Sequence, residues 1–333
     1  MPPINSDKDL PKLLDTATKQ VKWAKKLALK HLGSAVKHVD RPPMQGMFSR
    51  TFLLVLADGR EVVQQFRTEP LDLNSFKIAK KALGPVVPDA IALEDEDLSS
   101  EGVWAYSFTR LYGKLWVHGI AGKDAKGRIA INKSLGHILS KGCLDNRGSD
   151  EAVDNRIRSH LGALLASPLE DINPYRHRLQ DFYNNLERLK RLPLWIAHYD
   201  LNEVNVLIDE ECNITGLIDW ELSTPLPFGV NFGRIHTYAG EYTGGQFWIP
   251  DKFEDAERAF WKELFDGMPA EIRNNLENQI DLVQDAVILG TLLDCLSFEQ
   301  GKVIVGTVSK KALPKLLTYR IPFARGSAPP YGE

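Results

Sequence analysis

The sequence predicts an α+β chain in two parts, a small mixed part over residues 1–111 and a mostly helical part over residues 112–333. Two runs of β-forming residues flank Ala57-Asp58-Gly59, a hairpin signal, in the first part. Apolar residues recur at i, i+3 and i+4 over residues 129–141, 152–167 and 175–191 in the second. At 333 residues, 43% hydrophobic and 26% charged, the chain is long enough for two cores.

The elements follow in order. Residues 9–32 carry Leu10, Leu13, Leu14, Ala17, Val21, Ala24, Leu27 and Ala28 at helical spacing, with lysines over the remainder. A helix docked on the first part explains that pattern. The alternative, a membrane-surface helix, is disfavoured because alanine is prominent on the apolar face and Trp23 is its one bulky aromatic. Residues 46–56 and 60–66 read as strands, and residues 73–83 as a helix ended by Gly84-Pro85-Val86-Val87-Pro88. Residues 90–93 and 103–111 read as further strands across an acidic loop, 94–102, and Tyr112-Gly113 as a hinge. Beyond the three helical stretches, residues 253–265 and 272–298 read as closing helices, with Val287-Ile288-Leu289-Gly290-Thr291-Leu292-Leu293 as a buried run.

The chemistry lies between them. His198-Tyr199-Asp200-Leu201-Asn202-Glu203-Val204-Asn205 precedes two short apolar β runs, Val206-Leu207-Ile208 and 214–218, separated by the turn-forming Asp209-Glu210-Glu211-Cys212-Asn213. Such a hairpin returns Asp219, in Ile218-Asp219-Trp220-Glu221, to Asn205. An amide oxygen and a carboxylate form a hard oxygen pair suited to Mg²⁺ already held by nucleotide phosphates. Asp200 would stand just outside the metal, placed to orient or deprotonate a hydroxyl. Turn formation alone also favours Asp and Asn at these positions.

This stretch resembles the aminoglycoside phosphotransferase and choline kinase branch of the protein-kinase-like superfamily, with its H-G-D-x-x-x-x-N and I-D-W-E/D. The extended pattern, including Ile214-Thr215-Gly216 and Pro227-Phe228-Gly229, resembles phosphotransferase-family proteins common in fungi. The resemblance implies a protein-kinase-like fold with a small mixed N-lobe and a mostly helical C-lobe. It implies an ATP- and Mg²⁺-dependent phosphotransferase acting on a small-molecule hydroxyl, with Asp200 as catalytic base and Asn205 and Asp219 as metal ligands. In Gly46-Met47-Phe48-Ser49-Arg50-Thr51-Phe52, the resemblance implies that Gly46 and Ser49 lie at the nucleotide phosphates. Arg67, on the next strand, is the implied phosphate contact where protein kinases use lysine.

Two departures stand out. The helix after Arg67 lacks the expected glutamate, leaving Glu69 and Asp72 just before it, and Tyr199 replaces the glycine between His and Asp. They favour the rival reading of a kinase-like scaffold that has lost phosphoryl transfer. His198 reads as a loop anchor, and Glu221 as either a support or a substrate-facing acid. His236, Tyr238, Glu241, Tyr242, Phe247 and Trp248 form an aromatic and acidic cluster, read either as acceptor pocket or as core.

Bulk properties narrow the rest. No run of eighteen apolar residues is present, and the N-terminus lacks an apolar secretory segment. Cys143, Cys212 and Cys295 form no C-x-x-C, which suits a reducing cytoplasm and neither a disulfide framework nor a zinc site. A net charge of −3 gives no nucleic-acid footprint. The expected partner is a small-molecule substrate, with no nucleic acid, membrane or obligate protein partner.

Overall fold

The computed structural model describes residues 4–234, 241–243, 246–248, 253–299 and 302–323. The chain divides into two compact units, Met1–Lys80 with Pro85–Tyr112, and Lys81–Gly84 with Gly113–Glu333.

The first unit is built on an antiparallel sheet of β1 (Val36–Asp40), β2 (Ser49–Leu56), β3 (Glu61–Arg67), β4 (Ala90–Ala92) and β5 (Trp104–Thr109), in the order β1-β2-β3-β5-β4. Alternation along β2 turns Phe52, Leu54 and Leu56 into a core shared with Phe66 of β3. Leu10, Leu14, Ala24 and Leu27 from the N-terminal stretch belong to the same core. Helix α1 (Ala17–Leu27) starts later than its periodicity suggests, because Thr16 caps it: its hydroxyl accepts from the Lys19 N–H at 3.3 Å. Leu10 and Leu14 reach the core from turns instead. Strand β1 is absent from the sequence reading. It is an edge strand with only Val36 and Val39 as apolar residues, too sparse to signal itself. Helix α2 (Leu73–Leu83) coincides with its expected span, and the acidic stretch read as a loop holds a short helix, Glu96–Ser100.

The second unit carries α3 (Asp124–Leu139), a helical stretch that includes a π-helical turn (Val153–Ile157) and α4 (Arg158–Ala166), and α5 (Arg176–Asn184). Two small antiparallel sheets follow. One orders β6 (Lys114–Leu115), β9 (Val206–Ile208) and β10 (Ile214–Leu217) with β9 central; the other orders β7 (Cys143–Asp145), β8 (Leu194–Trp195) and β11 (Leu226–Pro227) with β8 central. Two further strands, β12 (Glu241–Thr243) and β13 (Gln246–Trp248), pair with each other. The long helix expected over 272–298 is two helices, α7 (Ala270–Glu277) and α8 (Ile280–Cys295), after α6 (Phe253–Asp266). Asn278 and Gln279 separate them, with Gln279 at φ −127° and ψ 36°, outside helical geometry. A hairpin of β14 (Leu296–Glu299) and β15 (Lys302–Val305) follows, then α9 (Thr307–Leu316).

Aromatic rings fill this unit's core. Trp195 meets Phe228 edge-on at 4.9 Å, Phe228 meets Phe232 at 5.1 Å, and Phe232 meets Phe260 at 5.7 Å. Helix α8 lies backbone-to-backbone on the turn Val230–Phe232: a Cβ on Gly290 would come within 2.2 Å of the Val230 carbonyl oxygen. The C-terminal segment is tied down by polar contacts. Gln284 of α8 donates to the Tyr319 carbonyl at 3.1 Å and accepts from the Ile321 N–H at 2.7 Å. The Tyr319 hydroxyl donates to Glu257 Oε2 at 2.8 Å and receives the Trp261 indole N–H.

Candidate functional site

In the second unit, β9 and β10 form the expected hairpin, with Leu217 opposite Val206. Its tip closes through Asp209, whose Oδ1 accepts from the N–H groups of Glu211 (3.0 Å) and Asn213 (2.8 Å). At the open end, the Ile218 N–H donates to the Asn205 carbonyl at 3.0 Å, bringing the following Asp219 to Asn205. Asp219 has φ +70°, a left-handed conformation that Asp tolerates better than most residues. His198 is buried; its Nε2 lies 2.7 Å from the Ile218 carbonyl oxygen, and its ring packs at a tilt of 57° with its centre 4.5 Å from that of buried Trp220. Burial lowers the His198 pKa, although the Ile218 carbonyl, Asp200 and Glu221 oppose that shift. His198 thus ties the loop before Asp200 to the strand before Asp219.

Asn205 is also buried. Its amide nitrogen donates to the Asp200 carbonyl at 2.8 Å and to Asp200 Oδ2 at 3.1 Å. With the amide N–H groups committed to Asp200, the amide's remaining donor atom for a metal is its carbonyl oxygen. That oxygen and the Asp219 carboxylate match the hard donors Mg²⁺ takes when phosphates and water supply the remainder. No cluster of three or more His, Cys, Asp or Glu side chains capable of holding a metal occurs among the described residues. The donor set therefore fits a metal that arrives with a phosphorylated ligand better than a resident structural ion.

Asp200 has a further partner absent from the sequence reading. Arg234 Nη1 donates to Asp200 Oδ1 at 2.9 Å, while Arg234 Nε bonds Asp294 of α8. Burial works against the Arg234 charge, but Asp294 and Asp200 outweigh it and raise its pKa. Burial pushes the Asp294 carboxyl up, against the pull of Arg234. Asp294 left one trace in the sequence, as the lone acid closing the apolar run 287–295. Tyr199 carries Arg156 on its ring, with the guanidinium carbon 5.1 Å from the ring centre. Glu221 is half-buried near His198. His236 and Tyr238 lie outside the described residues, and of Glu241 the structure describes only the backbone pairing with Trp248.

In the first unit, Ser49 and Arg67 face each other across β2 and β3, and both are buried. Gly46 packs against Ser49: a Cβ there would lie 2.4 Å from the Ser49 hydroxyl oxygen, so a larger residue would have to displace that side chain. Arg67 Nη1 donates to Gln65 Oε1 at 3.3 Å. Asp72, one of the two acids near Arg67 in sequence, instead caps α2, accepting from the Asn74 N–H (2.9 Å) and the Ser75 hydroxyl (3.1 Å). The loop before β2 is anchored from behind. Asp7 takes Arg41 on both carboxylate oxygens (2.6 and 2.9 Å) and Arg50 Nε at 3.2 Å, and buried Arg50 also donates to the Ser49 (3.0 Å) and Ile4 (3.0 Å) carbonyls. The Arg41 guanidinium hydrogen-bonded to Asp7 holds that carboxyl down at about 2.

The profile of the phosphotransferase enzyme family matches residues 41–268, and the chain belongs to that family. Among solved structures, it is similar to a macrolide 2′-phosphotransferase from Brachybacterium faecium at 16% identity and TM-score 0.52, covering 90% of this chain and 98% of that one. It is also similar to an ethanolamine kinase from Plasmodium vivax at 13% identity and TM-score 0.56, covering 93% and 90%. The fold class is accordingly α+β and protein-kinase-like. No curated protein matches the sequence. No helix among the described residues is long and apolar enough to cross a membrane.

Proposed function

We propose that this chain is an ATP- and Mg²⁺-dependent phosphotransferase acting on a hydroxyl of a small molecule. The observation that carries the reading is the knot of Asp200, Asn205 and Asp219, in which the Asn205 amide nitrogen is held by Asp200 and the hairpin returns the Asp219 carboxylate to the Asn205 amide oxygen, two hard donors side by side. Mg-ATP, when bound, supplies the transferable phosphoryl group and the charge that neutralises it. Asn205 and Asp219 hold the metal, and Gly46, Ser49 and Arg67 contact the phosphates. Asp200 aims the acceptor hydroxyl and takes its proton late along a loose transfer path. Arg234 and Asn205 use one lone pair on each Asp200 oxygen, leaving others for that hydroxyl.

The second reading, a kinase-like scaffold without phosphoryl transfer, gains a structural observation beside Tyr199 and the glutamate-free helix: Asp200 is ion-paired to Arg234 at 2.9 Å. Nucleotide titration and ADP release separate the two. Wild type should gain several degrees of thermal stability with Mg²⁺ and ATP together, and much less with either alone; saturation at a hundred times Kd corresponds to about 2.7 kcal/mol. Asp219→Asn should lose both nucleotide affinity and turnover. Asp200→Asn should bind Mg-ATP nearly as wild type does, while its turnover falls by about 10²–10⁴-fold. A wild-type protein indifferent to millimolar Mg-ATP would support the scaffold reading, and an Asp200→Asn enzyme as fast as wild type would remove Asp200 from the chemistry.

A further inference from the structure

Next to the hairpin, the second unit carries a pocket of about 50 Å³, open on one side, whose lining includes Arg156, His160, Tyr199, Leu201, Arg234 and Asp294. That volume exceeds what a single water needs and admits a small charged group. The charges around it are unevenly matched. The carboxylates of Asp294 and Asp200 are both held by Arg234. Arg156 is half-buried and makes no ion pair among the described residues. Tyr199 offers it a ring face and one oxygen, which cannot satisfy five N–H donors. A guanidinium withdrawn from water without an anion is costly, and here burial does lower the Arg156 pKa, against the opposing influence of Tyr199.

Arg156 also sits in an uncommon backbone setting. It belongs to the π-helical turn Val153–Ile157, and such turns cluster at functional sites. Tyr199 is the residue directly before Asp200, so the side chain that carries Arg156 shares a backbone with the proposed base. His160, one turn on, does not compete as a cation: burial and the neighbouring Arg156 charge lower its pKa, although the Leu296 carbonyl oxygen 2.9 Å from its Nε2 opposes that shift.

We propose that Arg156, held on Tyr199, binds an oxyanion of the acceptor, so that the substrate is a hydroxylated small molecule carrying a carboxylate or phosphate group rather than a polycation. This rests on the phosphotransferase reading for the word acceptor, but the anion site itself does not require phosphoryl transfer. A planar guanidinium accepts two oxygens of a carboxylate or phosphate side by side, which a lysine would not reproduce.

The test uses four pyranoses that differ chiefly in charge: glucuronate, glucose 6-phosphate, glucose and glucosamine. Binding to the full chain is measured by calorimetry without nucleotide, with Mg-ATP binding measured separately. A failed anion site and a failed phosphotransferase reading are thereby told apart. Glucuronate or glucose 6-phosphate should bind at least about tenfold more tightly than glucose, and glucosamine no better than glucose. The tighter of the two anions identifies the oxyanion. Arg156→Gln should abolish the preference, and Arg156→Lys, which keeps the charge and guards against a folding defect, should retain only part of it. Equal binding of all four sugars, tighter binding of glucosamine, no binding of either anion, or an unchanged preference in Arg156→Gln would each overturn the proposal.

Discussion

Replacing Glu257 by glutamine should make the protein's stability less sensitive to pH in one defined window. Glu257 on α6 is fully buried beside Tyr319 and Trp261, and that burial pushes its carboxyl from an ordinary 4.5 up to about 7, although Tyr319 and Trp261 hydrogen bonds oppose it. Its Oε2 accepts from Tyr319, while Oε1 is buried with no hydrogen-bond partner. An acid with a raised folded-state pKa is protonated in the native chain where the unfolded chain has already lost the proton. Between pH 4.5 and about 7 the native state therefore binds more protons, and stability falls as pH rises through that window. At 1.36 kcal/mol per pH unit the full linkage is about 3 kcal/mol, of which about 2.5 kcal/mol falls between pH 5 and pH 8. Glutamine keeps the shape and an acceptor oxygen but carries no ionisable proton. Urea denaturation followed by tryptophan fluorescence at pH 5 and pH 8, on both proteins, gives the difference directly, because other titrating groups cancel. The advantage of Glu257→Gln over wild type should grow by about 2.5 kcal/mol across that interval. Stability curves that run parallel for the two proteins would refute the reasoning and show that Glu257 is solvated or ionised in the native chain.

Two further outcomes follow from packing and charge. Gly290→Ala should lower stability by about 1–3 kcal/mol, since its Cβ would press to 2.2 Å from the Val230 carbonyl, a backbone atom with no rotamer to escape into; calorimetry showing an unchanged Tm would contradict the close approach. Asp7→Asn should destabilise the first unit by about 2 kcal/mol at neutral pH, because the Asp7 carboxyl is held at about 2 instead of 3.8. A depressed carboxyl stabilises above its unfolded pKa and loses that contribution as pH falls through its folded one. The two proteins should therefore converge near pH 2 in acid-unfolding curves, and a gap that persists there would assign the effect to packing.

The legible and illegible parts of this chain divide by range of contact. The β9–β10 hairpin was readable because Asp209 and Asn213 fix its turn locally and its apolar runs lie on either side. Helix α2 was readable from its helical pattern and from the Gly84-Pro85 stop after it, while the Asp72 cap at its start emerged only with the structure. The break between α7 and α8 was hidden because Asn278 and Gln279 interrupt a periodicity that resumes on the far side. Hairpin β14–β15 was hidden because Leu296 and Phe298 continue the apolar pattern of α8. In the candidate site, the positions of Asp200, Asn205 and Asp219 follow from the local motif. Arg234, Asp294 and Arg156 come from separate elements, and single-chain patterning carries no signal for which charged side chains meet in space.

The Arg234 bridge also has a bearing on the order in which the second unit folds. The motif's own contacts close over at most 20 residues, from His198 to Ile218, whereas Arg234 reaches back 34 residues to Asp200 and forward 60 to Asp294. Closing a loop of 60 residues instead of 20 costs only about 1 kcal/mol more in chain entropy, but it requires α8 to have been made. Of the two carboxylates that Arg234 bridges, Asp200 lies on the motif loop and Asp294 on α8, so the bridge is complete only once α8 is in place. The packing of α8 sets Gly290 on the Val230 backbone and brings Asp294 to Arg234. Helix α8 thus ties the motif loop to a contact made far along the chain, and the loop's ion-pair bridge depends on that helix being packed.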